Sequence, residues 1–329
     1  MRQLANLIFT SLLLQQHSMN SIIKVSHLSK QFKELKAVDD LSFTVHEGDV
    51  YGFLGQNGAG KSTTIRMLLT LITPTSGNIE LFGYNLYSHR KEILQQVGAV
   101  IERPDLYKYL TAYECLSIFA TMSGLKFSRA QLMEQLELVG LAQRAGSKVR
   151  TYSQGMKQRL GLAVALVHNP QLIMLDEPTN GLDPQGIADM RNLILMLSRE
   201  RKKTILVSSH LLSEVEQIAN RMLIIDKGKK LVEGSVDELF HPDDTIVLLE
   251  TNNKSLAESI ILQSGFASSF IQADASGIEL KMSRDTVPAF NRFLVAQNIE
   301  VKGITARHTL EDYFLKITSA NQHVEAYKN

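Results

Sequence analysis

The sequence predicts an α/β domain with a mostly parallel central sheet, followed by a small α+β domain of the ferredoxin-like kind. Three observations carry this. Residues Gly55 to Thr63 read G-Q-N-G-A-G-K-S-T and fit the pattern G-x-x-x-x-G-K-[ST] of a phosphate-binding loop. Strand-like apolar runs alternate with helical patterns from Ile22 to about Phe240. Beyond His241-Pro242-Asp243-Asp244 the order becomes β-α-β-β-α-β.

The chain has 329 residues, room for two domains. A hydrophobic fraction of 44% against 21% charged residues supports a sizeable core. A formal net charge of +1 gives no global attraction to nucleic acid. The single cysteine, Cys115, excludes an internal disulfide and a cysteine metal cluster, and its apolar helical surroundings predict a buried thiol. No stretch reaches the roughly 18 apolar residues of a membrane-spanning helix. The nearest is Leu4 to Leu14, after Arg2. It has three readings: a misassigned start ahead of Met19, a peripheral amphipathic extension, or a signal peptide without an obvious cleavage site. Residues 1–20 are set apart as an extension, 21–241 as the first domain and 242–329 as the second.

Short strands at Ile22–Val25, Leu41–Val45 and Gly77–Phe82 predict an antiparallel edge layer. Val50–Leu54 is the strand before the phosphate loop, and Thr64–Leu69 is the helical run after it. Helices dominate from Thr111 to about His168, inside a helical subdomain of about residues 103–168. Apolar runs at Leu172–Leu175, Thr204–Val207 and Met222–Ile225 predict buried strands, with a hairpin turn at Asp226-Lys227-Gly228-Lys229. Arg199-Glu200-Arg201-Lys202-Lys203 fits a solvated helix end, where cations suit the C-terminal dipole. The second domain reads as strand Thr245–Glu250, helix Ser255–Ser264, strands Phe270–Ala273 and Gly277–Met282, helix Thr286–Gln297 and strand Ile299–Thr305. It carries no catalytic constellation and reads as a structural or interaction module.

In the loop, Gly55, Gly58 and Gly60 let backbone N–H groups turn toward phosphate oxygens, and Asn57, Ala59 and Thr63 belong to the same expected nucleotide-binding set. Lys61 is placed to reach β- and γ-phosphates, and Ser62 to ligate Mg²⁺. Leu172-Ile173-Met174-Leu175-Asp176-Glu177-Pro178 brings Asp176 to a strand's C-terminal end as a second metal ligand. Glu177, next in line, is placed to polarise an attacking water. Tyr152-Ser153-Gln154-Gly155-Met156-Lys157-Gln158-Arg159 opens a helix expected over Lys157–Val167, with a free Ser153 hydroxyl near its N-terminus.

This string, shortly before the Asp176–Glu177 strand, resembles the signature loop of ABC-transporter ATPases, and the resemblance covers about Ile22 to Phe240. The remaining motifs follow in the family order. Asn180-Gly181-Leu182-Asp183 looks like the D-loop that meets a partner subunit, with Asp183 as the dimer contact. Ser208-Ser209-His210 looks like the switch histidine segment, with His210 on the γ-phosphate. Phe32 stands where the family stacks an aromatic on adenine. Three departures from the family pattern matter, and the one at Glu102 looks like the subgroup of antibiotic- and peptide-export ATPases. Glu102, in Val97-Gly98-Ala99-Val100-Ile101-Glu102-Arg103-Pro104, replaces the usual Gln and puts a carboxylate near the metal. Gln154 and Met156 depart from the commonest signature, while Ser153 and Gly155 keep it. Thr309-Leu310-Glu311-Asp312-Tyr313-Phe314 resembles a C-terminal segment of ATPases similar to bacitracin and lantibiotic exporters.

The resemblance implies an ATP- and Mg²⁺-dependent ATPase at the cytoplasmic face of the cell membrane, working with integral-membrane permease subunits and a second ATPase subunit, without nucleic acid. Ser153 and Gly155 would reach the partner's ATP in trans. The competing expectation is a soluble ABC ATPase acting on DNA or ribosomes. Such proteins usually carry paired cassettes or long coiled-coil insertions, and this chain has one cassette and neither feature.

Overall fold

The structure is a computed structural model that describes residues 20–102, 104, 106–239, 245–274 and 277–308. The N-terminal extension, the Arg103 position, the interdomain His241–Asp244 run and the Thr309–Phe314 segment lie outside the described residues. The chain divides into two compact units, Met1–Gly234 and Ser235–Asn329.

The first unit is built on two sheets. Strands β1 (Ser21–Phe32), β2 (Leu35–His46), β4 (Ser76–Leu81) and β5 (Tyr84–Asn85) form an antiparallel layer in the order β2-β1-β4-β5. A six-stranded sheet follows in the order β10-β9-β3-β8-β7-β6. Its members are β3 (Val50–Leu54), β6 (Val97–Ile101), β7 (Leu172–Asp176), β8 (Thr204–Ser209), β9 (Arg221–Asp226) and β10 (Lys229–Ser235). The neighbours from β9 to β6 pair in parallel.

β3, β7 and β8 are buried at every position, which is why they read as unbroken apolar runs. Their side chains alternate between two cores. Ile173, Leu175, Ile205 and Val207 point to the core shared with the helical subdomain. Tyr51, Phe53, Leu172, Met174 and Leu206 point to the core shared with the antiparallel layer. Helix α1 (Lys61–Leu68) packs in the latter, and α2 (Arg90–Leu94) precedes β6. The helical subdomain contains α3 (Ala112–Met122), α4 (Arg129–Leu138) and α5 (Gln154–Leu166). Capping boxes fix two of these starts: Thr111 with Glu114, and Ser128 with Gln131. Cys115 is fully buried there, and burial raises its thiol pKa, so it is an inert core group. Helices α6 (Pro184–Arg199) and α7 (Leu212–Glu216) flank β8.

The Lys227-Gly228 turn joins β9 to β10 with both residues at positive φ, 47° and 79°, a two-residue hairpin of the primed type. A Cβ on Gly228 would lie 2.9 Å from the Ala37 carbonyl oxygen, so glycine is required twice over, by torsion and by space. The Gly228 N–H donates to the Ala59 carbonyl at 2.9 Å, so this hairpin braces the phosphate loop.

The second unit begins with a short helix α8 (Val236–Leu239), then β11 (Thr245–Thr251), α9 (Lys254–Leu262), β12 (Phe270–Ala273), β13 (Ile278–Lys281), α10 (Val287–Ala296) and β14 (Val301–His308). The sheet order β12-β13-β11-β14, antiparallel throughout, is the ferredoxin-like arrangement. Its core gathers Val247, Leu249, Ile261, Ile278, Leu280 and Phe290.

Candidate functional site

The phosphate loop leaves β3 at Gly55, where a Cβ would sit 2.6 Å from the Ile225 carbonyl oxygen. It turns at Gly58 and Gly60, with φ of 85° and 106°. Gly60 caps α1, which starts three residues earlier than its apolar pattern indicates. Lys61, Ser62 and Thr63 are therefore already helical, and their N–H groups face the loop as an anion-binding end. The Lys61 side chain is 5% exposed and curls back: its ammonium donates to the carbonyls of Gly55 at 2.6 Å and Gln56 at 3.1 Å.

The opposite wall comes from β7 and β8. Asp176 is 1% exposed and sits across the parallel register from Ser208. The Ser208 hydroxyl donates to Asp176 Oδ1 at 2.6 Å and accepts from the Glu177 N–H at 2.9 Å. Asp176 Oδ2 is buried and has no hydrogen-bond partner among the described residues. A desolvated carboxylate oxygen left over in this way fits a hard cation. Ser62, Glu102, Gln154, Asp176 and Glu177 line one cleft, so the cation's expected oxygen donors share it. Among the described residues, no cluster of three or more His, Cys, Asp or Glu is built to hold a metal alone.

Glu177 adopts φ 50°, the left-handed region, at a cost of about 1–3 kcal/mol for a non-glycine residue. Its carboxylate bridges two cations or potential cations: Oε1 lies 3.0 Å from Lys61 Nζ and Oε2 lies 2.7 Å from His210 Nδ1. An ionised carboxylate can only accept, so Nδ1 carries the proton in this contact, which leaves Nε2 uninvolved in it. Lys61, Glu177 and His210, which have separate tasks in the sequence motifs, form one chain of contacts.

Glu102 lies elsewhere on the rim. It also takes a left-handed φ, 55°, and is 63% exposed, with its carboxylate paired to the Arg66 guanidinium of α1. Phe32, at the end of β1, is 42% exposed and carries the Lys30 ammonium 4.8 Å from its ring centroid. Asp183 caps α6 by accepting from the Gly186 N–H at 3.1 Å.

The expected free hydroxyl at Ser153 is corrected. Helix α5 begins at Gln154, three residues before the expected start, because Ser153 is its N-cap and accepts from the Met156 N–H at 3.3 Å. The Ser153 hydroxyl proton remains available for donation. Gln154, a departure from the family pattern, donates to the Asn180 carbonyl at 2.9 Å and so ties the signature helix to the Asn180–Asp183 turn. Ser208, Arg66 and Glu214 were missed as site-supporting residues. Ser208 could have been found as the polar residue ending an apolar strand beside another strand-end acid; the other two had no local signal.

Residues 38–180 match the ABC transporter family. The bacitracin transport ATP-binding protein BcrA of Bacillus licheniformis is 44% identical over 301 residues, covering 91% of this chain and 98% of the relative. The chain belongs to the ABC transporter ATP-binding proteins. The lantibiotic transport ATP-binding protein SrtF of Streptococcus pyogenes is 40% identical across 66% of this chain and 92% of that protein. A solved ATP-binding subunit of an ABC transporter superposes with a TM-score of 0.58 at 31% identity, covering 66% of this chain and 91% of that one. As an ABC ATPase, this chain binds ATP. No helix among its described residues is long and apolar enough to cross a membrane.

Proposed function

We propose that this ABC ATPase hydrolyses ATP to power a membrane exporter, from the cytoplasmic face of the membrane, for an antibiotic, peptide or other hydrophobic compound. The observation that carries the chemistry is Glu177, held between Lys61 at 3.0 Å and His210 at 2.7 Å above the phosphate loop. The naming of relatives for bacitracin and lantibiotic transport supports the cargo class.

The loop N–H groups and Lys61 bind the phosphates. A γ-phosphate beside Lys61 competes with Glu177 for the ammonium, and Glu177 is then released to take a proton from the attacking water. As the imidazolium, His210 would donate from Nε2 to the transferring phosphoryl group while its Nδ1–H stays on Glu177. Ser62 and Asp176 would hold Mg²⁺, which when bound neutralises charge on the phosphate oxygens. Phe32 stacks on the adenine.

Two such chains assemble head to tail, Ser153 and Gly155 of each facing the partner's ATP and Asp183 lying at the contact. Gly155 supports this reading. A Cβ there would meet nothing closer than Leu182, at 3.9 Å, so packing within the chain does not demand glycine. An approaching phosphate does. Permease subunits dock on the helical subdomain, and the 242–329 domain is an accessory module.

Phosphate release from ATP, together with recovery of the chain in complex with an integral-membrane protein, tests the proposal. Robust hydrolysis with the chain recovered instead on DNA or ribosomes favours the soluble alternative. Glu102 adds a separate expectation. Its carboxylate is exposed and can leave Arg66 for the metal at little cost, since exposed ion pairs contribute about 0–1 kcal/mol. Glu102→Gln then raises the Mg²⁺ concentration for half-maximal activity several-fold, on the order of 1 kcal/mol. A superimposable Mg²⁺ titration assigns Glu102 to Arg66 alone.

A further inference from the structure

Strand pairing between β7 and β8 ends where the chemistry begins. The last registered pair is Asp176 with Ser208, and the reactive side chains, Glu177 and His210, lie beyond it. Backbone hydrogen bonds therefore do not hold the two strand ends together at the point where the Glu177 to His210 contact of 2.7 Å must be kept.

A side chain takes over. Glu214, in the first turn of α7, accepts two hydrogen bonds on a single oxygen, Oε2. Thr179 Oγ1, two residues after Glu177, donates at 2.8 Å. Ser209 Oγ, one residue before His210, donates at 2.9 Å. The Ser209 oxygen in turn accepts from the Leu211 N–H at 3.0 Å, which fixes the chain on the far side of His210. Glu177 sits between two restraints, the Ser208 hydroxyl on its N–H and the Thr179 clamp just after it, so its left-handed backbone is determined from both sides.

We infer that Glu214 is a positioning residue for ATP hydrolysis, a clamp that joins the Glu177 segment to the His210 segment through Thr179 and Ser209. This rests on the reading of Glu177 and His210 as the hydrolytic pair. The clamp's side-chain hydrogen bonds involve neither the phosphate loop nor Asp176, and Ser209 meets the loop only through its main-chain carbonyl, which accepts from the Gly55 N–H at 3.3 Å and survives the side-chain changes, so the clamp acts on turnover more than on nucleotide affinity. Both donors converge on one oxygen, so an acceptor is required and a negative charge is not.

The test is phosphate release by the full-length chain across ATP concentrations, for wild type, E214A and E214Q. E214A is expected to lower kcat by at least about tenfold with KM within about twofold, and E214Q to stay within about threefold of wild type. T179V and S209A each lower kcat by less than E214A, and T179V adds nothing in the E214A background. If E214A does not fold, T179V and S209A with E214Q carry the test. Wild-type kcat in E214A, equal losses in E214A and E214Q, or fully additive effects of T179V and E214A would overturn the inference. An inactive wild-type chain sinks the reading of the site and the clamp with it; an active one with unimpaired clamp variants sinks the clamp alone.

Discussion

Glu177→Gln is expected to lower steady-state ATP hydrolysis by about 10²–10⁴-fold, the usual contribution of a positioned general base. ATP binding should tighten at the same time. In the native chain the carboxylate holds Lys61 at 3.0 Å, in competition with a γ-phosphate. An amide of the same shape keeps the hydrogen-bond geometry toward His210 but gives up the ion pair, and Lys61 is freed for the nucleotide. The strain at φ 50° is a backbone property and survives the exchange. The variant should therefore fold normally, bind ATP several-fold more tightly and accumulate as an ATP-bound dimer. Phosphate release, a nucleotide-binding titration and light scattering in saturating ATP read the three quantities. Undiminished turnover removes Glu177 as the base. A chain that stays monomeric in saturating ATP contradicts the head-to-tail arrangement.

The parts of this site legible in the sequence are those that follow from local pattern. Gly55–Thr63 carries its own loop geometry, and the burial of Leu172–Leu175 on both faces forces Asp176 to emerge at the strand end. The order of elements after Thr245 likewise determined the small second sheet, since two βαβ-like halves with alternating directions leave few antiparallel solutions. What could not be read depends on register between distant strands. Ser208 meets Asp176 only because β7 and β8 pair with a given offset, and Glu214 meets Thr179 only after α7 folds back over both strand ends. The Arg66 to Glu102 pair is of the same kind, linking α1 to the end of β6 across the cleft. The helix starts at Lys61 and Gln154 were misplaced by three residues for another reason. Apolar periodicity begins a turn after the true N-terminus when that first turn is reserved for contacts with anions.

Asp176→Asn should uncouple the nucleotide from its metal while leaving the fold intact. The side chain is buried, and its Oδ1 accepts from Ser208 at 2.6 Å, a bond that an amide oxygen reproduces. The change falls on Oδ2, the oxygen with no partner among the described residues, where an NH₂ group cannot bind a cation. Ligand binding raises stability by RT ln(1 + [L]/Kd), about 2.7 kcal/mol at a hundredfold excess over Kd. In the native chain, ATP with Mg²⁺ should produce a larger rise in Tm than ATP with a chelator. In Asp176→Asn the two rises should coincide at the lower value, because Lys61 and the loop N–H groups still hold the phosphates. Turnover should fall at least about a hundredfold with it, as removal of a group that balances charge in the transition state does. A variant whose Tm still responds to Mg²⁺ as the native chain does would place the metal's protein ligand elsewhere on the cleft, with Glu102 the next carboxylate in line.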